Sequence, residues 1–346
     1  MKKKIIPLDD FINLVLYDKK KGYYSKKNPF GVKGDFITAP SISFLFGEMI
    51  GIWLILFWEN LNRPKNINII ELGPGNGKLA ETLLKTFEKF PKFKDSVNFF
   101  LYEKSEYLIK FQKKKIKNKN IKWLKNIKNL KNGPSIFIGN EFFDAIAIKQ
   151  FVKKGKFVYE KYINTIKKNK PTVVLKKTSS KMIRELKNLG LIEKDGIIEY
   201  PKLGLNEINN IIQNIKKFSG GMLLIDYGYL KQINFSTLQS VKNHKKNELF
   251  DNINNSDITS LVNFYLLKNF LKKNKLKVNK VVTQSFFLKK LGILNRADLV
   301  SKNMNFKEKS ELYFRLKRLL HSKYMGDLFK VIFAYKCKKK FKLGFE

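Results

Sequence analysis

Residues Asn66–Phe87 read NINIIELGPGNGKLAETLLKTF. The apolar run Ile67–Leu72 is short and ends at a glycine cluster, which predicts a buried parallel strand. Leu79, Ala80, Leu83, Leu84 and Phe87 recur at helical spacing, so a helix packed against that strand should follow. Between the two lies Gly73-Pro74-Gly75-Asn76-Gly77. Glycines at a strand-to-helix turn permit positive φ and let backbone approach a ligand closely, which makes this turn a candidate nucleotide-binding element.

Spacing separates the ligand classes that compete for such a turn. A P-loop has four residues between its glycines and then Lys-Ser/Thr; here three residues separate Gly73 from Gly77, and Leu79 follows Lys78 where a magnesium-binding hydroxyl would stand. A dinucleotide turn needs G-x-G-x-x-G, whereas this one has G-x-G-x-G with Glu71 two residues before its first glycine. The pattern E-x-G-x-G-x-G resembles motif I of class I S-adenosylmethionine methyltransferases. That resemblance implies a Rossmann-like α/β sheet with Glu71, Gly73, Gly75 and Gly77 at the cofactor. An ordinary glycine-rich turn of an α/β protein is the competing reading.

Asn98–Glu103, NFFLYE, reads as the second core strand and ends in an acid 26 residues beyond Gly77. An ionised carboxylate has two acceptor oxygens for a pair of ribose hydroxyls, so Glu103 is the ribose candidate. Ile121–Leu124 predicts a short third strand and Ser135–Gly139, SIFIG, a fourth. Asn140-Glu141-Phe142-Phe143-Asp144 follows at its end, where ligands of open α/β sheets sit. A polar side chain with aromatic neighbours there resembles the motif after strand 4 of amino-group methyltransferases. Asn140 is therefore a candidate for both cofactor and catalysis, with Glu141 and Asp144 as candidate orienting carboxylates. Helix capping by Asn140 and core packing by the phenylalanines are the alternatives.

LYDKKKGYYS, FGVKGDFITAPSISFLFGE, IIELGPGNGKL, GNEFFDAIAIKQF, LLIDYGY and MGDLFK occur in the order seen in the mitochondrial dysfunction protein A family, from about Leu8 to about Val331. Its mitochondrial members are complex I assembly factors. The resemblance implies an S-adenosylmethionine-dependent protein arginine methyltransferase acting on a protein substrate such as a complex I subunit. It implies the cytoplasm for a bacterial chain and the mitochondrial matrix for a eukaryotic homologue. Ala147 stands where the family usually has proline, a departure that leaves the polar residues of the motif intact.

Elsewhere Pro7–Tyr17 predicts an amphipathic helix, and the aromatic loop Gly22–Pro40 an ordered cover. Ser41 or Ser43 could cap the apolar helix that follows. Ile42–Trp58 has about the minimum length for a membrane span, ~17 residues, but Glu48 lies inside it, so a buried helix is expected. After Gln150, FVKKGKFVYEKYI alternates around Lys154-Gly155 as a β-hairpin would, and TVVLKK continues as a strand. Asn206–Phe218 predicts a helix, GMLLID over Gly221–Asp226 a buried strand, and Phe329–Lys336 a closing strand. Asp257 could cap a helix over Thr259–Lys272, and His244 is a possible proton acceptor. These readings divide the chain into an N-terminal helical and loop cover (1–62), the first half of the cofactor core (63–150), an inserted α+β substrate subdomain (151–218) and the second half of the core (219–346).

Composition excludes several classes. With one cysteine, Cys337, and two histidines, neither a disulfide framework nor a metal site is expected. Asp9 and Asp10 interrupt the basic N-terminus before a signal peptide could form. The formal net charge is +41, yet only five of the 70 basic residues are arginine and lysine is spread along the whole chain. That is a compositional bias rather than a concentrated nucleic-acid face, so no specific nucleic acid is expected. An RNA methyltransferase and a non-catalytic assembly factor retaining the fold are the rival functions. Oligomeric state is not legible.

Overall fold

The computed structural model describes residues 5–346 except 27, 28, 30–33, 35, 36, 119, 166–169, 243 and 244. Six main strands form the central sheet: β1 (Ile67–Leu72), β2 (Val97–Tyr102), β3 (Ile121–Leu124), β4 (Ser135–Asn140), β5 (Gly220–Tyr229) and β6 (Phe329–Lys336). Their order is β3-β2-β1-β4-β5-β6, parallel from β3 to β5 and antiparallel at β6. This is the doubly wound arrangement, whose order reverses between β1 and β4 and opens a ligand crevice at their carboxyl ends.

The apolar runs become central strands because both faces are covered, so all six residues of β1 are buried. Alternate side chains feed two cores. Ile67, Ile69, Ile136 and Ile138 pack with the helices Phe44–Asn60 and Lys78–Glu88, whereas Ile70, Leu72 and Phe137 pack with Lys202–Phe218 and Phe264–Lys273. Three C-terminal helices, Gln284–Lys290, Ile293–Ser301 and Phe306–Leu320, extend the first core through Phe287, Ile293, Leu312 and Leu316.

The apolar helix Phe44–Asn60 is buried, and the charge in its middle is neutralised: Glu48 accepts from Arg296 Nε at 2.9 Å and Nη2 at 3.2 Å. Ser43 is its cap, its hydroxyl accepting from Leu45 N at 3.3 Å. No helix among the described residues is long and apolar enough to cross a membrane.

The chain after β4 builds a second sheet from Lys149–Lys154, Phe157–Asn164, Thr172–Lys177 and Gly196–Tyr200. Gly155, at φ +54°, makes the predicted hairpin turn. The N-terminal strand Ile5–Pro7 pairs with Phe157–Asn164, so the start of the chain and the segment after β4 share one sheet. The helix Leu8–Tyr17 lies against it. The helix Lys202–Phe218 instead packs on β4, β5 and β6.

One local expectation fails. Asp257 caps no helix but lies in the strand Asp257–Thr259; the helix begins at Phe264 and is capped by Asn263, whose side chain accepts from Leu266 N at 2.9 Å. Pairing of Asp257–Thr259 with Gln239–Lys242 claims the backbone that the cap would have needed.

Candidate active site

The turn after β1 has the backbone its glycines permit. Gly73, Gly75 and Gly77 have φ of +62°, +52° and +72°, a region costly for residues bearing a Cβ. At Gly73 a Cβ would also lie 2.9 Å from Phe142 Cδ2. Asn76 Oδ1 accepts from Lys78 N at 3.0 Å, satisfying a first-turn donor of the helix that follows.

Two acids stand beside this turn. Glu71, buried on β1, has an Oε2 with no hydrogen-bond partner among the described residues. Burial, reinforced by Glu103, pushes its carboxyl up to about 8. Glu103 follows β2; its Oε1 accepts from Ser105 N at 2.8 Å and its Oε2 from Gln112 Nε2 at 3.3 Å. Burial raises it to about 7 against the pull of those two donors and Lys104.

The segment after β4 forms the facing wall. Asn140 ends the strand, and no helix follows it, so capping is not its role. Glu141 has φ +51°, uncommon for a residue with a side chain. Its backbone N donates to Ile225 O at 2.9 Å, and its carboxylate accepts from Ala39 N at 3.2 Å and Asn140 Nδ2 at 3.1 Å. Burial, then the charge of Asp144, moves Glu141 up to about 8. Asp144 accepts from the Tyr227 hydroxyl, keeps Oδ1 without a partner among the described residues, and is raised by burial to about 6. Phe143 is core, as one of the two phenylalanines was expected to be, while Phe142 lines the cavity against Gly73.

Three supporting residues escaped the sequence reading. Asp226, the acid within β5, accepts from Phe143 N at 2.9 Å, Asp144 N at 3.3 Å and Tyr227 N at 3.0 Å, and so anchors the loop after β4. Its position in a strand pattern was visible, but its partners were not. Tyr227 holds Asp144. Gln112 was detectable only as a polar residue three and four places after Ile109 and Leu108, on the buried face of a helix. His244 lies outside the described residues.

A cavity of about 380 Å³ separates the walls, bounded by Gly73, Gly75 and Glu103 on one side and by Glu141, Asp144 and Tyr227 on the other. Tyr17, Tyr24 and Thr38 of the N-terminal segment close part of it. A small recess beside it is lined by Glu71, Asn76 and Asn140. Glu71 Oε2, Asn140 Oδ1 and Asp144 Oδ1 are buried acceptors without donors among the described residues. Such atoms are costly to leave unpaired. A ligand with an ammonium group, sugar hydroxyls and a positive sulfur would supply donors and positive charge where they are missing.

Comparison with known proteins agrees. Residues 49–282 match the family of S-adenosyl-L-methionine-dependent methyltransferases. The chain belongs to that family. It is 33% identical over 307 residues to the protein arginine methyltransferase NDUFAF7 homolog, mitochondrial, of Caenorhabditis elegans, covering 80% of this chain and 70% of that protein. The human protein arginine methyltransferase NDUFAF7, mitochondrial, is 26% identical over 351 residues, with 94% and 78% covered. A crystal structure of a Burkholderia thailandensis protein bound to S-adenosyl-homocysteine has the same fold, with TM-score 0.83, 20% identity, and 99% of this chain and 89% of that one covered. The chain is thus a methyltransferase of class I architecture that uses S-adenosylmethionine.

Proposed function

We propose that this methyltransferase modifies an arginine side chain of a protein substrate. The observation that carries the reading is the sign of the cavity wall. In a chain of net charge +41, the wall holds Glu103, Glu141, Asp144, Glu207 and Asp257 against one lysine among the described residues, Lys104, which is paired with Glu207. Burial holds Glu103, Glu141 and Asp144 above the usual carboxylate range, so an entering cation draws them into the ionised form, whereas the phosphates of RNA would meet no compensating charge. The curated relatives are named as protein arginine methyltransferases, which agrees with a cationic acceptor. Following the family resemblance, a subunit of respiratory complex I or a similar partner is the candidate substrate, and the second sheet with the N-terminal helix is its docking subdomain.

In this reading Glu71, Gly73, Gly75, Gly77, Glu103 and Asn140 hold the cofactor. When bound, S-adenosylmethionine supplies an electrophilic methyl group on a sulfonium. The residues of the chain position the acceptor. Glu141 and Asp144 receive the planar guanidinium through charge-assisted hydrogen bonds, and Asn140 Oδ1 offers a further acceptor. Orientation of this kind can supply about 7 to 11 kcal/mol of a displacement barrier. Deprotonating a guanidinium of pKa up to about 13.8 at pH 7 would cost about 9 kcal/mol, so proton loss accompanies or follows transfer. A carboxylate such as Asp144, at about 6, is suited to receive that proton.

Single-turnover methylation of a purified candidate subunit, read by mass spectrometry beside the cofactor dissociation constant, tests the assignment. Glu141→Gln keeps shape but removes charge. Above about pH 8, where Glu141 is ionised, losing a charge-assisted hydrogen bond worth about 1.5 to 3 kcal/mol should slow methylation about tenfold to a hundredfold with cofactor affinity preserved. A wild-type rate would remove Glu141 from substrate binding, and methylation confined to residues other than arginine would overturn the substrate class.

A further inference from the structure

Gln112, on the helix Glu106–Lys115, has no exposed surface, and its amide is engaged at both ends. Nε2 donates to Gly75 O at 2.9 Å and to Glu103 Oε2 at 3.3 Å. Oε1 accepts from Trp123 Nε1 at 2.9 Å. An indole N–H can only donate, so Trp123 decides which end of the amide is oxygen and turns the NH2 toward its two acceptors. One acceptor is the carbonyl of the central glycine in the turn after β1, and the other is the acid after β2. A single side chain therefore gauges the separation of two elements that come from different strands. Ser105 N takes the other oxygen of Glu103 at 2.8 Å, so the carboxylate plane is fixed from two sides while lone pairs remain for a ligand.

We infer that Gln112 is a positioning residue that locks the glycine turn and the acid of Glu103 into one rigid cofactor-binding unit. The inference rests on Glu103 being the ribose acid. Gln112 works through Glu103 and the Gly75 carbonyl. Besides Gln112 and Ser105, Glu103 is faced by Glu71 on β1, by its neighbours Tyr102 and Lys104, and by Tyr17 from the N-terminal helix. Gln112, the Ser105 N–H and Lys104 favour its charged form, and burial opposes it. Without the amide, Glu103 would stay neutral to higher pH, and the turn would lose its tie to it.

Calorimetric binding of S-adenosylhomocysteine between about pH 6 and 9 tests this, with Gln112→Leu, Glu103→Gln and their double variant compared after a thermal-unfolding check. Gln112→Leu should weaken binding about tenfold at pH 7 and move the midpoint of its pH dependence upward. In the Glu103→Gln background most of that penalty should vanish, which a merely structural defect would not do. Trp123→Phe keeps the amide but frees it to flip, and should weaken binding in the same direction; it decides the matter if Gln112→Leu does not fold. Unchanged affinity in the folded variants, or an equal Gln112→Leu penalty in both backgrounds, would overturn the inference while leaving Glu103 in place. Wild-type affinity in Glu103→Gln would instead remove the ribose assignment, and the inference with it.

Discussion

Glu141 joins a left-handed backbone, a buried carboxyl and a position at the mouth of the sheet crevice. Strained residues of this kind persist where surrounding bonds over-determine them, and here Ile225 O and Ala39 N do so. The carboxyl at about 8 has a kinetic consequence. Arginine stays charged at every working pH, so its attraction to the wall depends on how much of Glu141 and Asp144 is ionised. Raising the pH ionises them, and methylation at limiting substrate should climb from about pH 6 to about pH 8 and then level off. Glu71 and Glu103 titrate in the same window through cofactor binding. Repeating the profile with saturating cofactor and Glu141→Gln separates the two, because only a step belonging to Glu141 disappears. A step that survives in that variant belongs to another group.

Between elements, one set of contacts encloses the site and another governs how closely two core helices pack. The N-terminal segment is tied to both walls: Ser105 Oγ donates to Tyr24 O at 2.6 Å, Ala39 N to Glu141 at 3.2 Å, and the Tyr17 hydroxyl to Ala145 O at 3.3 Å. We propose that this segment covers the cofactor, as ordered loops over reacting sites do. Of the predicted cover Gly22–Pro40, residues 27, 28, 30–33, 35 and 36 lie outside the described residues. Amide exchange at Tyr23–Lys26 and Ile37–Ile42 should slow when S-adenosylhomocysteine is added, and equal exchange at saturation would argue against a cover. The second set joins the helices Phe44–Asn60 and Lys78–Glu88. A Cβ at Gly47 would stand 2.7 Å from Thr82 Cγ2, and one at Gly51 would stand 2.8 Å from Thr86 Cγ2. The two glycines, one turn apart, let the helices approach closely. Gly51→Val should overpack this seam and cost about 1 to 3 kcal/mol in denaturant unfolding. An unaltered midpoint would show that the helices can part without penalty.

For the molecule as a whole, charge is distributed unevenly between surface and interior. Lysines cover the chain, while Glu71, Glu103 and Glu141 gather where the cofactor and acceptor would meet. Burial raises these three carboxyls to about 8, 7 and 8. A carboxyl whose folded value exceeds its unfolded value stabilises the fold fully below the unfolded value of about 4.3. That contribution is lost as pH rises through the folded values. The protein without cofactor should therefore unfold at a lower temperature at about pH 8.5 than at about pH 6, and Glu71→Gln should flatten the trend. A thermal midpoint that holds or rises over this range would contradict the sign.

The strands and the turn were legible because their signals are local. A bounded apolar run makes a doubly covered strand wherever it falls, glycines mark the positive φ that Gly73, Gly75 and Gly77 adopt, and the carboxyl end of a strand delivers Glu103, just after β2, and Asn140, the last residue of β4, to the crevice. Six ordered motifs sufficed for the family. What the sequence could not determine is which distant residues meet. Ile5–Pro7 pairs with a strand more than 150 residues later, Asp257 is drawn into a sheet instead of capping a helix, and Asp226, Tyr227 and Gln112 grip the site through partners on other elements. Such contacts follow from packing rather than periodicity. The raised carboxyls follow likewise, since only the closed fold removes water from Glu71, Glu103 and Glu141.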